Sequence, residues 1–399
     1  MNERSGEIRP WTLALTVLAV LALFPASALG QDEMRLAGQI VNTTASVQPG
    51  DHVVIAGGKH NMSMVEAIAI EAQKAGGMVT MLVNSDRVLR STWTEVPDEY
   101  LKQVPTYWKP WLDAVDVWIG LPGVEDAQAT FGDIPQQKFA LAAESNQFFN
   151  DELNSTPLRG VAIAYPTAAE AKQNGLDFDT YAAMQWAAVG ADYGAISRRG
   201  NAIAERLRGA DEVHITSPAG TDLRFAIGGR KVFVDDGIVT PDEADSKMFI
   251  ERWATLPGGQ VFTSVDEGSA EGTVAVAKTR CQYQPMTGIR FAIDDGYIED
   301  FEAAANASCF ESAMEPFDKA AMRLGGVSIG LNPALKVMEE NGADYRPGDA
   351  AGMVWIQFGD NQLLGGKNET TGGMSFPIVN ATVTVDGTVV VRDGALVGG

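Results

Sequence analysis

Histidine and cysteine, on which most zinc, iron and redox sites depend, are scarce in this sequence. Among 399 residues there are three histidines and two cysteines, and no histidine follows His214. The two cysteines form no Cys-x-x-Cys motif, so neither a zinc knuckle nor a dithiol redox pair is expected. A catalytic histidine would have to come from His52, His60 or His214, all in the first 214 residues.

Positive charge is scarce as well. Thirty Lys and Arg residues stand against 52 Asp and Glu residues, which gives a formal net charge of −22 at pH 7. Binding to DNA or RNA is therefore not expected, because the sequence shows no basic stripe that could neutralise phosphates. The acidity is most simply explained by the solubility of an exported protein.

Long apolar runs are missing after the first thirty residues. Within those thirty, Arg4 and Arg9 precede an apolar run from Trp11 to Phe24, and Pro25 and small residues follow it. This order is typical of a secretory signal peptide, and the run is shorter than the roughly 20 residues of a membrane-spanning helix. We therefore expect residues 1–30 to be a removed signal peptide and the mature protein to be periplasmic or secreted, with no stable membrane anchor.

The two cysteines can pair if the protein is exported. An oxidising compartment would allow Cys281 and Cys309 to form a disulfide. Two buried free thiols are equally compatible with the sequence. The distance between the two Cα atoms decides between these alternatives.

Two regions of different character follow the signal-like segment. Residues 31–208 alternate strand and helix patterns, and the βαβ unit that begins at Asp51 predicts a parallel sheet. Residues 209–399 are dominated by short alternating strands. The sequence therefore predicts an α/β N-terminal domain with a mainly parallel sheet, and a β-rich α+β C-terminal domain.

Turns and helices can be placed within the C-terminal region. Asp294-Asp295-Gly296 and Asp386-Gly387 each join two strand-like runs, as hairpin turns do. Helices are expected only around residues 309–324 and 334–341. The region otherwise consists of strands and loops.

One loop of the N-terminal region lies where α/β proteins often bind ligands. Gly57-Gly58-Lys59 joins a strand to a helix, but it lacks the glycine spacing of a phosphate loop or a dinucleotide fingerprint. His60 follows at the carboxyl end of the strand, the edge at which open α/β sheets place ligands. His60 is therefore a candidate ligand contact, although a plain tight turn is the simpler explanation of the glycines.

The C-terminal region carries glycine-rich segments in a fixed order. They are Gly220-Thr221-Asp222-Leu223, Leu256-Pro257-Gly258-Gly259-Gln260-Val261-Phe262-Thr263-Ser264, Ile329-Gly330-Leu331-Asn332-Pro333, Gly352-Met353-Val354-Trp355-Ile356-Gln357-Phe358-Gly359 and Gly365-Gly366-Lys367-Asn368. In this order and at roughly this spacing they resemble the aminopeptidase T family of thermophilic metallo-aminopeptidases. The resemblance implies that family's fold, a homodimer, and peptide hydrolysis by two divalent metal ions held by two glutamates, two histidines and an aspartate.

Position by position, the resemblance leaves the metal site without its ligands. Gln260 stands at the first glutamate, Gly326 at the second, Trp355 at one histidine, and Ser375 and Pro377 at the closing His-x-Asp pair. A neutral amide ligates weakly, and the other four positions offer at most a hydroxyl, whereas dinuclear sites need carboxylates and imidazoles. We therefore expect no metal cofactor and name no catalytic residue.

The expected function is binding by an exported, aminopeptidase T-like pseudoenzyme, whose former active-site cleft takes a peptide or small molecule. Two alternatives remain open. One is an active metallo-aminopeptidase or other hydrolase with a displaced metal site, built from nearby acids such as Asp266, Glu267, Glu271 and Asp360. The other is a structural or assembly protein. An open cleft lined by Gln260 and Trp355 would favour binding.

Overall fold

The computed structural model describes residues 31–281 and 284–398. The signal-peptide prediction for residues 1–30 lies outside the described residues. Within these ranges, none of the helices combines the length and the apolar character needed to cross a membrane.

Helices are concentrated in the N-terminal region. The α-helices are α1 Gln31–Gln39, α2 Met62–Lys74, α3 Asp86–Thr94, α4 Asp98–Leu101, α5 Trp108–Leu112, α6 Ala127–Phe131, α7 Gln136–Ala140, α8 Ala143–Ser155, α9 Ala168–Gln173, α10 Phe178–Val189, α11 Tyr193–Leu207, α12 Pro241–Ala244 and α13 Ala307–Met314. A π-helix spans Ile40–Thr44, and 3₁₀ turns span Lys59–Asn61, Phe249–Glu251, Lys319–Met322 and Gln362–Leu364.

Strands become dominant after α11. They are β1 His52–Gly58, β2 Met78–Asn84, β3 Val117–Gly120, β4 Arg159–Ile163, β5 Val213–Thr216, β6 Asp222–Phe225, β7 Val232–Asp235, β8 Trp253–Leu256, β9 Gln260–Ser264, β10 Glu271–Cys281, β11 Gln284–Asp294, β12 Tyr297–Glu302, β13 Leu324–Gly330, β14 Val354–Gly359, β15 Gly373–Ile378, β16 Thr382–Val385, β17 Thr388–Arg392 and β18 Ala395–Leu396.

The N-terminal region contains a five-stranded parallel sheet in the order β2-β1-β3-β4-β8, which confirms the α/β prediction. Val53, Val54 and Ile55 of β1 are fully buried, as expected for a strand of a parallel sheet that is covered on both faces. Helix α2 presents Val65 and Ile68, three residues apart, as part of its buried side. This spacing places both side chains on one helical face.

The fifth strand of this sheet comes from the second half of the chain. Strand β8 pairs in parallel with β4, so that Ala162 lies opposite Thr255. The chain forms β5, β6 and β7 of the other sheets before it returns to add β8. The parallel sheet therefore extends past the expected domain boundary at residue 208, because pairing between distant segments leaves no local sequence pattern.

The C-terminal region forms two antiparallel sheets, as predicted for a β-rich domain. One has eight strands in the order β12-β11-β10-β6-β5-β16-β17-β18, and the other has five in the order β15-β14-β13-β9-β7. Phe291 of β11 packs against Phe358 of β14 and Phe376 of β15, with ring centroids 5.7 and 5.0 Å apart. The two sheets thus share an aromatic core.

Both hairpin turns form where the sequence predicts them. Asp295 and Gly296 join β11 to β12 with φ of 49° and 81°, and Asp386 and Gly387 join β16 to β17 with φ of 46° and 78°. Two successive positive φ values suit the right-handed twist of the paired strands, and Asp-Gly tolerates them better than most dipeptides.

One predicted helix is wrong and another is shorter than expected. Residues 334–341 form no helix, because the backbone of Met338 instead exchanges two hydrogen bonds with Tyr345, at 2.8 and 2.9 Å. Around 309–324 the structure has α13 and a separate 3₁₀ turn, and the next strand already begins at Leu324.

The cysteine pair forms a disulfide. Cys281 ends β10 and Cys309 lies in α13, with their Cα atoms 6.1 Å apart. The bond therefore ties the long β10–β11 hairpin to the helix that follows β12. The alternative of two free thiols is excluded in this structure.

Candidate functional site

The five-stranded antiparallel sheet collects the positions that the resemblance aligned with metal ligands. They lie on four neighbouring strands: Gln260 on β9, Gly326 on β13, Trp355 on β14, and Ser375 and Pro377 on β15. Trp355 lies opposite Ser328 on one side and Pro377 on the other. Positions separated by up to 117 residues, from 260 to 377, thus come together on one sheet.

Four of the five positions line one cavity of about 700 Å³: Gln260, Gly326, Trp355 and Ser375. This volume falls within the range of small-molecule sites. Pro377 is the exception, since it lines a separate small cavity with Ser217 and Ala275. The cleft that was expected from the sequence is therefore present and open, and Gln260 and Trp355 both face it.

Aromatic side chains form much of the cavity wall. Phe262 lies two residues from Gln260 on β9, and its ring stacks on Phe233 at 5.4 Å. Two further lining rings, those of Phe249 and Trp253, pack against each other with centroids 5.0 Å apart. Each of these lining rings is half-buried, so it keeps apolar surface available to a ligand.

The indole nitrogen of Trp355, a lining residue, is a hydrogen-bond donor without an acceptor. Its Nε1 atom is buried and has no hydrogen-bond partner. A Cβ atom built on Gly348, another lining residue, would lie 3.6 Å from that Nε1 and 3.1 Å from the Gln260 amide nitrogen. An unsatisfied buried donor costs free energy, and this nitrogen can reach an acceptor only if the side chains around it move.

The side chain of Gln260 is hydrogen-bonded to a carboxyl group. Its side-chain amide donates a 2.9 Å hydrogen bond to Asp349 Oδ1. Burial raises the pKa of Asp349 to about 7, the negative charge of Asp235 adds to this, and the bond from Gln260 opposes it. Asp349 is therefore close to half-protonated at neutral pH.

A second acid, Asp235, lies across the strand pair from Gln260. The two residues face each other in the register of β7 and β9. The Thr255 hydroxyl donates a hydrogen bond to Asp235, and the Gly237 amide donates another at 3.2 Å. Burial raises the pKa of Asp235 to about 6 despite these bonds. Both acids are half-buried because the cavities leave one side of each open.

A second cavity, of about 690 Å³, adjoins the first at Thr255 and Gln260, which line both. It lies at the carboxyl ends of β3, β4 and β8, the edge at which open α/β sheets bind ligands. Asp349 and Tyr345 line it, and Tyr345 accepts a hydrogen bond from Gln185. The site therefore has two chambers, with Asp235 in the first and Asp349 in the second.

The residues present do not fit a catalytic metal. Non-haem iron sites use two histidines and a carboxylate, and dinuclear hydrolases use several carboxylates with imidazoles. The first chamber offers an amide, a hydroxyl and an indole at the aligned positions, and its two carboxyl groups, those of Asp235 and Asp360, are accompanied by no imidazole in the described lining. In the described ranges, no cluster of three or more His, Cys, Asp or Glu side chains is arranged to hold a metal ion.

The histidines lie elsewhere. His52 contacts the Ala114 carbonyl and the Thr80 hydroxyl, and His214 is hydrogen-bonded to Asp222 at 2.7 Å. His60 follows β1 at its carboxyl end, as expected, but its ring contacts are Asn61 and Tyr165. Neither chamber has a histidine among its described lining residues.

Sequence reasoning missed the two most informative acids and one serine. Asp235 and Asp349 were indistinguishable among 52 acidic residues. Gly326-Val327-Ser328-Ile329-Gly330 matches the Gly-x-Ser-x-Gly spacing, and Ser328 lines the first chamber. The motif lies within β13 and not at a strand-to-helix turn, so it is not a nucleophile elbow. The only available signal for Asp235 was its place at the end of a strand.

Comparison with known proteins identifies relatives of the C-terminal half. A family model described as NicX, 2,5-dihydroxypyridine 5,6-dioxygenase, matches residues 193–398. The chain is 26% identical over 206 residues to the 2,5-dihydroxypyridine 5,6-dioxygenase of Pseudomonas putida KT2440, an alignment that covers 48% of this chain and 55% of the relative. The chain thus spans about half the length of the curated relative that it matches.

Solved structures show the fold of the whole described chain. Wild-type AmpT from Thermus thermophilus superposes with a TM-score of 0.70 at 18% identity, over 92% of this chain and 99% of that one. The 2,5-dihydroxypyridine dioxygenase structure from Pseudomonas putida KT2440 gives 0.57 at 17% identity, over 92% and 97%. The fold is therefore aminopeptidase T-like, as the resemblance implied, and a dioxygenase shares it.

Proposed function

Because the chain belongs to the 2,5-dihydroxypyridine 5,6-dioxygenase family, we propose that it keeps the cleft of this fold as a binding site for a small apolar molecule. In this proposal the protein is a non-catalytic homologue that uses no metal ion. The aminopeptidase T-like fold supplies the cleft, and the side chains at the aligned positions determine what it binds.

The observation that carries the proposal is the composition of the first chamber. Gln260, Gly326, Trp355 and Ser375 line one open cavity, yet none of them supplies a carboxylate or an imidazole. The residues thus keep a ligand-sized space while they lack the donors that a hydrolytic or oxygen-activating metal needs. A cavity that keeps its volume but lacks metal ligands is better suited to binding a molecule than to metal-dependent catalysis.

The chamber suits a small molecule better than a long peptide. Its volume of about 700 Å³ matches drug-sized ligands, and four aromatic rings, those of Phe249, Trp253, Phe262 and Trp355, line it. The curated relative is named for an activity on a small aromatic ring. An aromatic or otherwise flat apolar group is therefore the expected occupant.

Metal binding and two activities test this proposal together. Purified protein would be incubated with Fe(II), Mn(II), Co(II) or Zn(II), passed through a desalting column, and analysed for bound metal. Oxygen consumption with 2,5-dihydroxypyridine and hydrolysis of aminoacyl-anilides would be followed with and without chelator. A small-molecule library would be screened in parallel by tryptophan fluorescence and thermal shift.

We expect less than a tenth of an equivalent of metal, no chelator-sensitive turnover, and saturable fluorescence changes with some library members. A Trp355→Phe variant should lose most of the fluorescence response but keep the fold. Stoichiometric metal with chelator-sensitive turnover would refute the proposal and establish an enzyme. A library without any saturable binder would refute it as well.

A catalytic alternative has one observation in its favour. Asp235 and Asp349 both have pKa values raised toward neutrality, to about 6 and about 7, and paired carboxyl groups in different protonation states can perform acid–base chemistry. Metal-independent hydrolysis by such a pair would persist in chelator and disappear in both Asp235→Asn and Asp349→Asn. Turnover with these properties would favour the alternative over simple binding.

Export and self-association complete the proposal. We propose that residues 1–30 direct secretion, that the mature protein works in the periplasm or outside the cell, and that it forms a homodimer. The signal-like composition of the N-terminus and the aminopeptidase T resemblance support these points. N-terminal sequencing of the protein from cell fractions and light scattering after size-exclusion chromatography test them.

A further inference from the structure

The charged groups around the first chamber have one sign. Its charged lining residues within the described ranges are Asp235 and Asp360, and no Lys, Arg or His joins them. The whole chain carries a formal charge of −22, so the surrounding field also attracts cations. The two lining acids and the negative net charge would both repel an anionic ligand.

Asp235 is the acid best placed to meet a cation. It is half-buried at the cavity wall, and no Lys or Arg of the described chain forms an ion pair with it. Its hydrogen bonds come from neutral donors, the Thr255 hydroxyl and the backbone amides of Gly237 and Thr255. A carboxylate can accept about four such bonds, which leaves room for the N–H of a ligand.

Aromatic rings complete a cation-binding environment. Trp253, Phe262 and Trp355 line the same chamber as Asp235. The face of an aromatic ring attracts an ammonium group and also packs against an apolar body. Within the described lining of the chamber, the rings and the carboxylate are not accompanied by a Lys, Arg or His side chain. They therefore favour an organic cation over a neutral or anionic molecule of equal size.

Trp355 lies on the same five-stranded sheet as Asp235. Gln260 lies beside Trp355, and Asp235 lies opposite Gln260 in the sheet register. Strands β7, β9, β13 and β14 are neighbours, and Trp355 is offset by two residues from the line through Asp235 and Gln260. The backbones of Asp235 and Trp355 are therefore about 16 Å apart, at about 4.8 Å per strand and about 3.4 Å per residue. Both side chains line the first chamber.

We propose that the ligand is a small arylalkylamine or similar apolar amine, with its ammonium group on Asp235 and its ring between the aromatic walls. This inference rests on the proposed function and specifies the chemical class of the ligand. It adds a preference for cationic ligands, which the presence of a cavity alone does not predict.

A charge series on one skeleton tests the inference. Tyramine, 2-(4-hydroxyphenyl)ethanol and 4-hydroxyphenylacetate have closely similar size and ring, but they are cationic, neutral and anionic at pH 7.5. Their dissociation constants would be measured by calorimetry and tryptophan fluorescence. We expect tyramine to bind at least tenfold more tightly than the alcohol, and the carboxylate to bind most weakly.

Variants assign the preference to the residues. Asp235→Asn should remove most of the tenfold advantage of tyramine while it changes binding of the alcohol by less than twofold. Asp245→Asn, which removes an exposed acid outside the chamber, is the matched control and should keep the full preference. Trp355→Phe keeps an aromatic ring and changes no charge, so it should keep most of the preference for tyramine over the alcohol.

The outcomes separate the inference from the proposed function. Equal or tighter binding of the alcohol or the carboxylate would overturn the charge preference while leaving a binding site. Binding of other library members but of none of the three probes, with no preference for cations, would overturn it too. A protein that binds nothing in the library would refute the proposed function itself.

Discussion

The pKa of Asp349 gives a prediction whose size can be worked out from the structure. Burial raises it from 3.8 to about 7, so between these values the folded protein holds a proton that the unfolded chain releases. The free energy of unfolding therefore falls as pH rises through this window. The full pKa shift would change the free energy of unfolding by ~4 kcal/mol, at 1.36 kcal/mol per pKa unit. Solvent in the cavity reduces this change to ~2 kcal/mol.

Asp349→Asn should remove this dependence. An asparagine keeps the oxygen that accepts the 2.9 Å hydrogen bond from Gln260 but never ionises. We expect the variant to be more stable than the wild type by ~2 kcal/mol at pH 8, where the wild type must bury a carboxylate, and to differ little at pH 4. Urea unfolding followed by near-ultraviolet circular dichroism at both pH values measures this difference.

Two controls make the result specific. Asp245→Asn, which removes an exposed acid, should change the free energy of unfolding equally at both pH values. Asp235→Asn should lower the pKa of Asp349, because the charge of Asp235 contributes to raising it. A stability difference between Asp349→Asn and wild type that is the same at pH 4 and pH 8 would refute the reasoning, as would destabilisation at pH 8.

Three further changes have definite expected outcomes. Gln260→Glu should not create zinc-, cobalt- or manganese-dependent release of N-terminal amino acids, since one carboxylate cannot replace the missing imidazoles. Hydrolysis of aminoacyl-anilides by this variant above the level of a mock preparation would contradict the prediction. Cys309→Ala should lower the free energy of unfolding by about 3 kcal/mol through loss of a loop closure over 28 residues, and reductant should no longer affect the variant. Gly326→Ala should lower the free energy of unfolding by about 1–3 kcal/mol, because its Cβ would lie 3.0 Å from the Thr263 carbonyl oxygen. Gly229→Ala, with open space around its Cβ, should leave the free energy of unfolding unchanged. Equal effects of the two substitutions would show that the contact at Gly326 relaxes freely.

Local sequence patterns predicted the elements whose causes are local. The Asp-Gly turns at 295–296 and 386–387 form because two successive residues there adopt positive φ. The first βαβ unit forms a parallel pair, since its helix returns the chain in the same direction. The grouping of Gln260 and Trp355 in one cavity could be predicted only through the family resemblance.

The acids of the site could not be predicted for a physical reason. The pKa of Asp349 depends on burial beside Asp235, 114 positions earlier in the chain. No property of either residue's neighbours in sequence distinguishes it from a solvated loop acid. The same applies to β8, whose place in the parallel sheet depends on pairing with β4, and to residues 334–341, where a backbone pairing with Tyr345 replaced the expected helix.

The late arrival of β8 constrains the order in which the protein can fold during synthesis. β4 ends at Ile163 and β8 begins at Trp253, so about ninety residues must be synthesised before the parallel sheet gains its last strand. At about 5–20 residues per second, the edge of β4 that pairs with β8 keeps its backbone N–H and C=O groups unpaired for roughly 5–18 seconds. An unpaired strand edge promotes association with other chains. A nascent chain stalled near residue 208 should therefore aggregate or recruit a chaperone, and one stalled well past residue 256 should not.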